Sequence, residues 1–391
     1  MTIPSDQISI YDIFYAYHEC RKHKRNKTGT IEFEIDLEKN LVELWTDIVT
    51  GVYEPQPSTV FIVEEPVVRE IFAASFRDRI VHHLVIGKLN HIFEKCFIYD
   101  SYSCRKGKGT HFGISRAQRF IRRCEGGYVL KIDIRGYFMS INKNILWRKL
   151  EAFIDDKYHA PDKELIKSLS YKIIFNDPTK DCVYHSPKEK WNKLPTDKSL
   201  FTAKEGCGLP IGNLTSQVFA NFYLTGFDHY VKFACKVKNY GRYVDDCIFF
   251  HKSKAFLLRL LPFLKAYLNV YLGLKIHSQK IYLQSCSHGV KFLGSYIKPS
   301  HTVINHRTIN NFKKSLFLHG KIAENHKPNK YEIEKYVSSV NSYLGIMKHY
   351  KTFRKRCFIL QNHVTSLWLK HIKISEHKFC KINIKCGNGV L

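Results

Sequence analysis

The sequence predicts an α+β fold, mixed in its middle and mainly helical at its ends, on three observations. Residues 128–134, Tyr-Val-Leu-Lys-Ile-Asp-Ile, alternate like a strand, with Leu130, Ile132 and Ile134 on one face and Val129, Lys131 and Asp133 on the other. Residues 240–250 read as a hairpin in which two β-like runs meet at Asp245-Asp246. Apolar residues recur at helical spacing through 68–98, among them Phe76, Ile80, Leu84 and Ile92, and helical segments return over 308–319 and 331–372.

The remaining elements fall in order around these. Residues 1–60 read as helices broken by the basic stretch Arg21 to Lys27, a solvated loop. Cys104 to Thr110 is a loop of glycines and cations ahead of another helix, and a helix starts near Asn142. Residues 155–205 are polar, rich in Pro, Lys and Asp, without a clear period, and read as an insertion or long loop. Helix returns over 214–230, with Asn213 or Thr215 as its cap, and an apolar helix spans 254–273. Strands follow over 275–297.

With 391 residues, two or three lobes are expected, and a 44% hydrophobic share supplies a core. No apolar run is read as long enough to span a bilayer, and the polar start, Met1 to Ile8, reads as no secretory signal. The expectation is a cytoplasmic protein with no membrane partner. The 12 cysteines form no C-x-x-C pair, so free, buried thiols are expected rather than zinc or disulfides. The net charge of +27 points to a polyanionic partner, nucleic acid first. The charge gathers late: from residue 301 on there are 17 Lys and Arg against 4 Asp and Glu. The run Lys348 to Arg356 reads either as the basic, aromatic wall of a nucleic-acid groove or as a basic helix face.

The chemistry centres on Asp133, Asp245 and Asp246. A tight hairpin at Tyr243-Val244-Asp245-Asp246 would present its acids at the tip, and Asp133 lies on the strand face away from the Ile stripe. Three carboxylates held together repel one another unless a cation offsets them. Mg²⁺ is hard, oxygen-seeking and shares its shell with phosphate oxygens. Two Mg²⁺ at Asp133 and Asp245 would suit phosphoryl transfer, one serving the attacking hydroxyl and one the leaving pyrophosphate. The loop Gly206 to Asn213, ahead of the 214–224 helix, has glycines that allow close backbone approach to a ligand.

In this order the elements resemble reverse transcriptases, over about residues 10–370. Phe76 to His83 and Ser101 to Gly107 look like the two fingers motifs, and Lys131 to Ile134 with Tyr137-Phe138 like the first palm motif. Tyr243 to Asp246 is the hallmark box. Leu274 to Lys280 resembles the lysine motif near the triphosphate, and Val290 to Ser295 the primer grip. The string Leu209-Pro210-Ile211-Gly212-Asn213-Leu214-Thr215-Ser216-Gln217, with Leu194-Pro195 and Lys198 to Phe201 upstream, looks like the enzymes of diversity-generating retroelements. Those copy a template-repeat RNA with errors at adenines and work with a small, basic, multimeric accessory protein. The alternatives are a retron, group II intron-like or phage-defence reverse transcriptase, or a catalytically inactive nucleic-acid-binding scaffold.

The resemblance implies a right-hand polymerase fold with fingers, an antiparallel-sheet palm and a helical thumb. The fingers and N-terminal segment would be 1–127, the palm 128–297 and the basic thumb and tail 298–391. It implies metal ligation by Asp133, Ile134, Asp245 and Asp246, with two Mg²⁺ (Mn²⁺ as substitute). It puts Arg105, Ile134, Phe138, Ile211 and Lys280 at the dNTP, Phe138 as the gate against the ribose 2′-hydroxyl. Tyr243, Gly212, Gln217, Phe292, Leu293 and Gly294 would face primer or template. Partners are an RNA template, a DNA or RNA primer and dNTPs, in a bacterial or phage-infected cell. Many bacterial relatives carry glutamine where Ile211 stands. A polar positioning contact is lost there, so Ile211 is expected to lower fidelity. His82 and His83 are expected at the helix surface or on RNA.

Overall fold

The computed structural model describes residues 8–22, 24–64, 67–375 and 379–385, so the N-terminal residues read above for a leader lie largely outside them. The chain divides into two compact units: Met1–Gly113 with Tyr128–Leu283, and Ile114–Gly127 with Gln284–Leu391.

The order begins with α1 (Ile10–Arg21), α2 (Thr28–Ile35) and α3 (Leu37–Val49). Strands β1 (Ser58–Val63) and β2 (Arg69–Ala73) then pair antiparallel, Val60 opposite Phe72. This hairpin corrects the reading of a helical pattern from residue 68, because Ile71 and Phe72 fit either period. The helix starts only at α4 (Phe76–Cys96), where the Ser75 hydroxyl accepts the Asp78 amide at 3.1 Å. Next come α5 (Thr110–Arg123), β3 (Tyr128–Asp133), α6 (Tyr137–Ser140) and α7 (Lys143–Lys157), the last starting where expected and capped by Asn142.

The segment read as an insertion or loop is more ordered than that. It contains α8 (Lys163–Phe175), whose Ile166, Leu169 and Ile174 are buried, and β4 (Cys182–Tyr184), which pairs parallel with β1. Short 3-10 turns follow at Lys188–Lys193, Thr196–Lys198 and Leu200–Thr202. Then come α9 (Leu214–Tyr223), α10 (Thr225–His229), β5 (Asn239–Tyr243), β6 (Asp246–His251), α11 (Lys254–Leu272) and β7 (Tyr282–Ser285). The sheet order is β5-β6-β3-β7, with β3 and β5 both antiparallel to β6. The Ile132 face of β3 joins α4, α7, α9 and α11 in one core, in which Phe93 stacks on Phe153 and meets Phe222.

α11 corrects another expectation, since it is long and apolar enough by length and composition to cross a membrane. Its stripe Leu257, Leu260, Leu264, Leu268 and Leu272 is buried in the core, the pattern of an amphipathic core helix.

In the second unit β8 (Val290–Phe292), β9 (Ser295–Ile297) and β10 (Thr302–Ile304) form an antiparallel meander. Helices α12 (His306–Asn325), α13 (Lys330–Met347), α14 (Phe353–His363) and α15 (Ser366–Leu369) pack around Phe312, Leu344 and a Tyr336–Trp368 stack. The pair β11 (Ile372–Ile374) and β12 (Ile382–Ile384) follows.

Candidate active site

The strand register brings the aspartates together. Asp133 ends β3 directly opposite Asp246, the first residue of β6, and Tyr243, the last of β5, faces Asp246 from the other side. Two residues, Val244 and Asp245, close the hairpin. Val244 has φ +55, a left-handed conformation that a β-branched residue adopts only when its surroundings force it.

The forcing group is Arg242, fully buried on β5. Its Nη1 donates to the Val244 carbonyl at 2.9 Å and its Nη2 to the Asn221 carbonyl at 3.2 Å. The remaining donors grip Asp228 on α10, Nε at 2.8 Å and Nη2 at 2.5 Å, and the Tyr240 hydroxyl adds 2.7 Å. Arg242 and Asp228 were not singled out in the sequence, where a buried ion pair looks like two surface charges.

The carboxylates sit in a field that opposes their charge. Burial, then the nearby Asp133, pushes the Asp245 carboxyl up to about 7. Burial pushes Asp246 up to about 6 against the pull of Lys131, whose Nζ lies 3.1 Å from Asp246 Oδ2. Asp246 Oδ1 is buried without a hydrogen-bond partner. Lys280 Nζ reaches Asp133 Oδ2 at 2.6 Å. The segment carrying Lys280 is fixed to β3: the His277 amide donates to the Asp133 carbonyl and the Arg135 amide to the Lys275 carbonyl, both at 2.8 Å. Lys131 could have been found from the alternation that puts it on the Asp133 face.

Among the described residues no three His, Cys, Asp or Glu groups stand ready-made around an ion. The donor chemistry nevertheless fits one: an unpartnered buried oxygen and mutually repelling carboxylates favour a hard cation. Ile134 is buried and bridges Ile276, so its carbonyl is what it can offer.

The loop ahead of α9 is stapled to β2. The Phe72 amide donates to the Ile211 carbonyl at 2.8 Å, and the Ala74 amide to Asn213 Oδ1 at 3.2 Å. Asn213 therefore occupies the cap position without capping. Gly212 has φ +131, and a Cβ there would lie 2.7 Å from the Phe72 carbonyl oxygen. Ile211 and Phe138 pack against the small cluster Val60, Phe72, Met139 and Leu200, and the Leu209 amide donates to the Phe138 carbonyl. Gln217 is exposed and accepts from the Cys104 thiol at 3.2 Å. Asn221 is buried, bonded to Ser101 and Ser103.

Arg105 departs from the triphosphate expectation. Its guanidinium donates to Glu94 at 2.9 Å and to the carbonyls of Ile98 and Ser101, with 6% of the side chain exposed, so it ties its own loop together. His82 is buried, not on the surface, and burial takes it down to about 3; His83 is half-buried and goes down to about 4.

In the second unit, Phe292 is buried on β8, and Leu293 (φ +49) and Gly294 (φ +76) make the turn into β9. Arg356, read as part of a groove wall, is buried and donates to the Phe379 carbonyl.

Residues 67–297 match the family described as reverse transcriptase (RNA-dependent DNA polymerase). Protein YkfC of Escherichia coli is 24% identical over 190 residues, 47% of this chain and 43% of that protein. The COX1/OXI3 intron 1 protein of Saccharomyces cerevisiae is 21% identical over 238 residues, 59% of this chain and 25% of that protein. The chain thus spans less than half the length of either. Similar solved structures include apo telomerase from Candida tropicalis (TM-score 0.48, 12% identity, 82% of this chain and 63% of that one). Telomerase from Candida albicans with a fragment of telomeric RNA is another (TM-score 0.47, 13% identity, 79% and 55%). With the family match running over more than half of its residues, the chain belongs to the reverse transcriptase family.

Proposed function

We propose that the chain is an RNA-directed DNA polymerase, taking an RNA template, a DNA or RNA primer and dNTPs. The observation that carries this is the register pairing Asp133 with Asp246, with Asp245 beside them at the hairpin tip. Asp133, Asp245, Asp246 and the Ile134 carbonyl are the groups that would hold two Mg²⁺, or Mn²⁺ in their place. Bound there, the ions supply charge neutralisation for the attacking 3′-hydroxyl and the leaving pyrophosphate. Lys280, already at Asp133, is the side chain that would meet that leaving group's charge. Phe138 closes the sugar side against a 2′-hydroxyl. Tyr243, Gly212, Gln217 and the Phe292–Gly294 turn serve primer and template, with fingers at 1–127, palm at 128–297 and thumb at 298–391.

The finer reading is a mutagenic enzyme of a diversity-generating retroelement, acting in the cytoplasm of a bacterial or phage-infected cell with a small basic accessory protein. The string Leu209 to Gln217 supports it, as does Ile211, whose side chain joins an apolar cluster and offers an incoming nucleotide no hydrogen bond. A group II intron-like enzyme is the second reading, favoured by the likeness to an intron protein.

Primer extension on RNA with Mg²⁺ and dNTPs, followed by cDNA sequencing, tests both levels. Extension by the wild type and none by Asp245→Ala is expected, with errors concentrated at template adenines. No extension by either protein would favour a scaffold, and errors spread evenly over the bases would favour the intron-like class.

A further inference from the structure

The segment 176–205 folds around one buried acid on β2. Glu70 is fully buried and accepts from Trp191 Nε1 at 2.7 Å, the Ser199 hydroxyl at 2.8 Å and the Leu200 amide at 2.6 Å. From the other side, the His185 amide donates to the Val60 carbonyl at 2.9 Å and continues the β1–β4 pairing. A segment that reads as polar loop is thereby made into a wall.

The wall is aromatic. Tyr184 and Phe201 stack at 5.9 Å with 9° between their planes, and Trp191 meets Tyr184 at 5.4 Å and 66°. Lys188 Nζ lies 4.9 Å from the Tyr184 ring centre. With Leu194 and Thr196 these residues line a cavity of about 320 Å³ at which none of the described lining residues is acidic. Tyr184 remains 40% and Phe201 37% exposed, large ring area for a surface site. A volume near the lower bound of small-ligand pockets suits a single planar group rather than a peptide segment.

The pocket wall packs against residues of the candidate active site. Phe201 packs on Phe72 at 5.6 Å, and Phe72 holds the Ile211 carbonyl. Leu200 belongs to the cluster against which Phe138 and Ile211 pack. A Cβ on Gly136, three residues past Asp133, would lie 2.7 Å from the Asp197 carbonyl oxygen, and Arg135 pairs with the Asp197 carboxylate at 3.2 Å.

We propose that this pocket binds one unpaired nucleobase of a single strand, stacked on Tyr184 and Phe201, with Lys188 at the adjoining phosphate. Every base has a π-face, so rings of this kind take any base, and a lysine at the rim matches the strand's charge. The proposal rests on the polymerase reading: the strand is the template ahead of the position being copied, held as copying advances. The structural cost of the lobe, a buried carboxylate satisfied three times over, is then the cost of a rigid base platform.

The test uses the full chain and primer–templates with template overhangs of one or ten nucleotides, in RNA and in DNA, alongside Tyr184→Ala, Phe201→Ala and Lys188→Ala. The conservative control is Tyr184→Phe. Binding is read by fluorescence anisotropy, and contact by photocrosslinking from 4-thiouridine or 4-thiothymidine placed in the overhang. Tyr184→Ala and Phe201→Ala are expected to bind the long-overhang substrates about tenfold more weakly than wild type, the stacking loss for one base, and Lys188→Ala to bind them more weakly with a shallower salt dependence. The one-nucleotide overhang should bind as before, which also reports that the variants are folded, and Tyr184→Phe should behave as wild type. Crosslinks should map to 184–202 and be lost in Tyr184→Ala. The RNA and DNA arms show which strand is preferred. Equal binding of the two overhangs by all variants, or crosslinks that avoid 184–202, would overturn the pocket. A wild type that extends no primer yet shows the overhang effect would count against the polymerase reading and for the pocket.

Discussion

The Arg242–Asp228 pair offers the sharpest test of how the aspartate hairpin is held. Both side chains are fully buried, and between them run two charge-assisted hydrogen bonds, at 2.8 and 2.5 Å. Asp228→Leu leaves a buried guanidinium without its counter-charge and the Tyr240 hydroxyl without its acceptor. Breaking one partner of such a pair costs about 3–5 kcal/mol, a large part of the roughly 5–15 kcal/mol that holds a domain folded. Arg242→Met strands the opposite charge and also deprives the Val244 and Asn221 carbonyls of a donor, each such loss costing about 1–3 kcal/mol if the group stays buried. The double variant Asp228→Leu with Arg242→Met removes both charges and keeps only the losses at the two carbonyls and the Tyr240 hydroxyl, so it should cost about 3–9 kcal/mol, well under the sum of the two single changes. Urea unfolding of the four proteins gives this cycle, read at a probe in the first unit such as near-UV signal from its tryptophans. Primer extension gives the second readout. Without the Nη1 bond the Val244 turn is no longer over-determined, and a carboxylate displaced by about 1 Å loses about 10²-fold in rate. Additive single costs, or a double variant with wild-type extension, would refute the claim that this pair positions Asp245.

Other changes probe separate parts of the site. Val244→Gly relieves a left-handed β-branched residue worth about 1–2 kcal/mol and adds about 0.5–1 kcal/mol of backbone entropy cost, so unfolding midpoints should hold or rise while extension slows; lower stability would show that the turn is unstrained. Phe138→Ala should incorporate ribonucleotides, measured by alkali-sensitive products, and unchanged sugar selectivity would remove Phe138 as the gate. Ile211→Gln should lower the error rate in sequenced cDNA, and an unchanged spectrum would dismiss its part in infidelity. His82 is buried and neutral, its basicity pushed down to about 3 by burial and then by His83 and Arg79. Above about pH 6.5 folded and unfolded states are alike in this group; below it only the unfolded chain takes the proton, and stability falls. Between pH 7.5 and 5 the loss should be about 2 kcal/mol at this residue, and His82→Leu should flatten the urea-midpoint profile by that amount. Parallel profiles would show that His82 already titrates in the folded chain.

Local patterns carried much of this structure in legible form. The alternation at 128–134 located β3 and the face on which Asp133 and Lys131 stand, and the helix start expected near Asn142 is where α7 begins. Short apolar runs were ambiguous: Ile71 and Phe72 join a helical period by spacing but pair with Phe61 and Val60 of β1, since a hairpin partner is invisible in the run itself. Helix α8 was hidden because its buried Ile166, Leu169 and Ile174 are interleaved with lysines in a stretch dominated by polar residues. Partnerships between distant side chains were the least legible. Arg105 looked available for phosphate until Glu94 and two carbonyls were seen to occupy it, and Arg242 looked like an ordinary surface cation.

Glu70 carries a consequence for reading variation in this protein. One carboxylate, far along the chain from any of the three aspartates, decides whether some thirty residues form a firm surface or a loose strand of chain. An inherited or selected change at residue 70 would therefore mimic a lesion of the catalytic centre in any screen that scores only product. The difference would surface as a loss of product that grows with template length. Mutational maps of this chain need template length as an axis before a silent clone is counted as a dead enzyme.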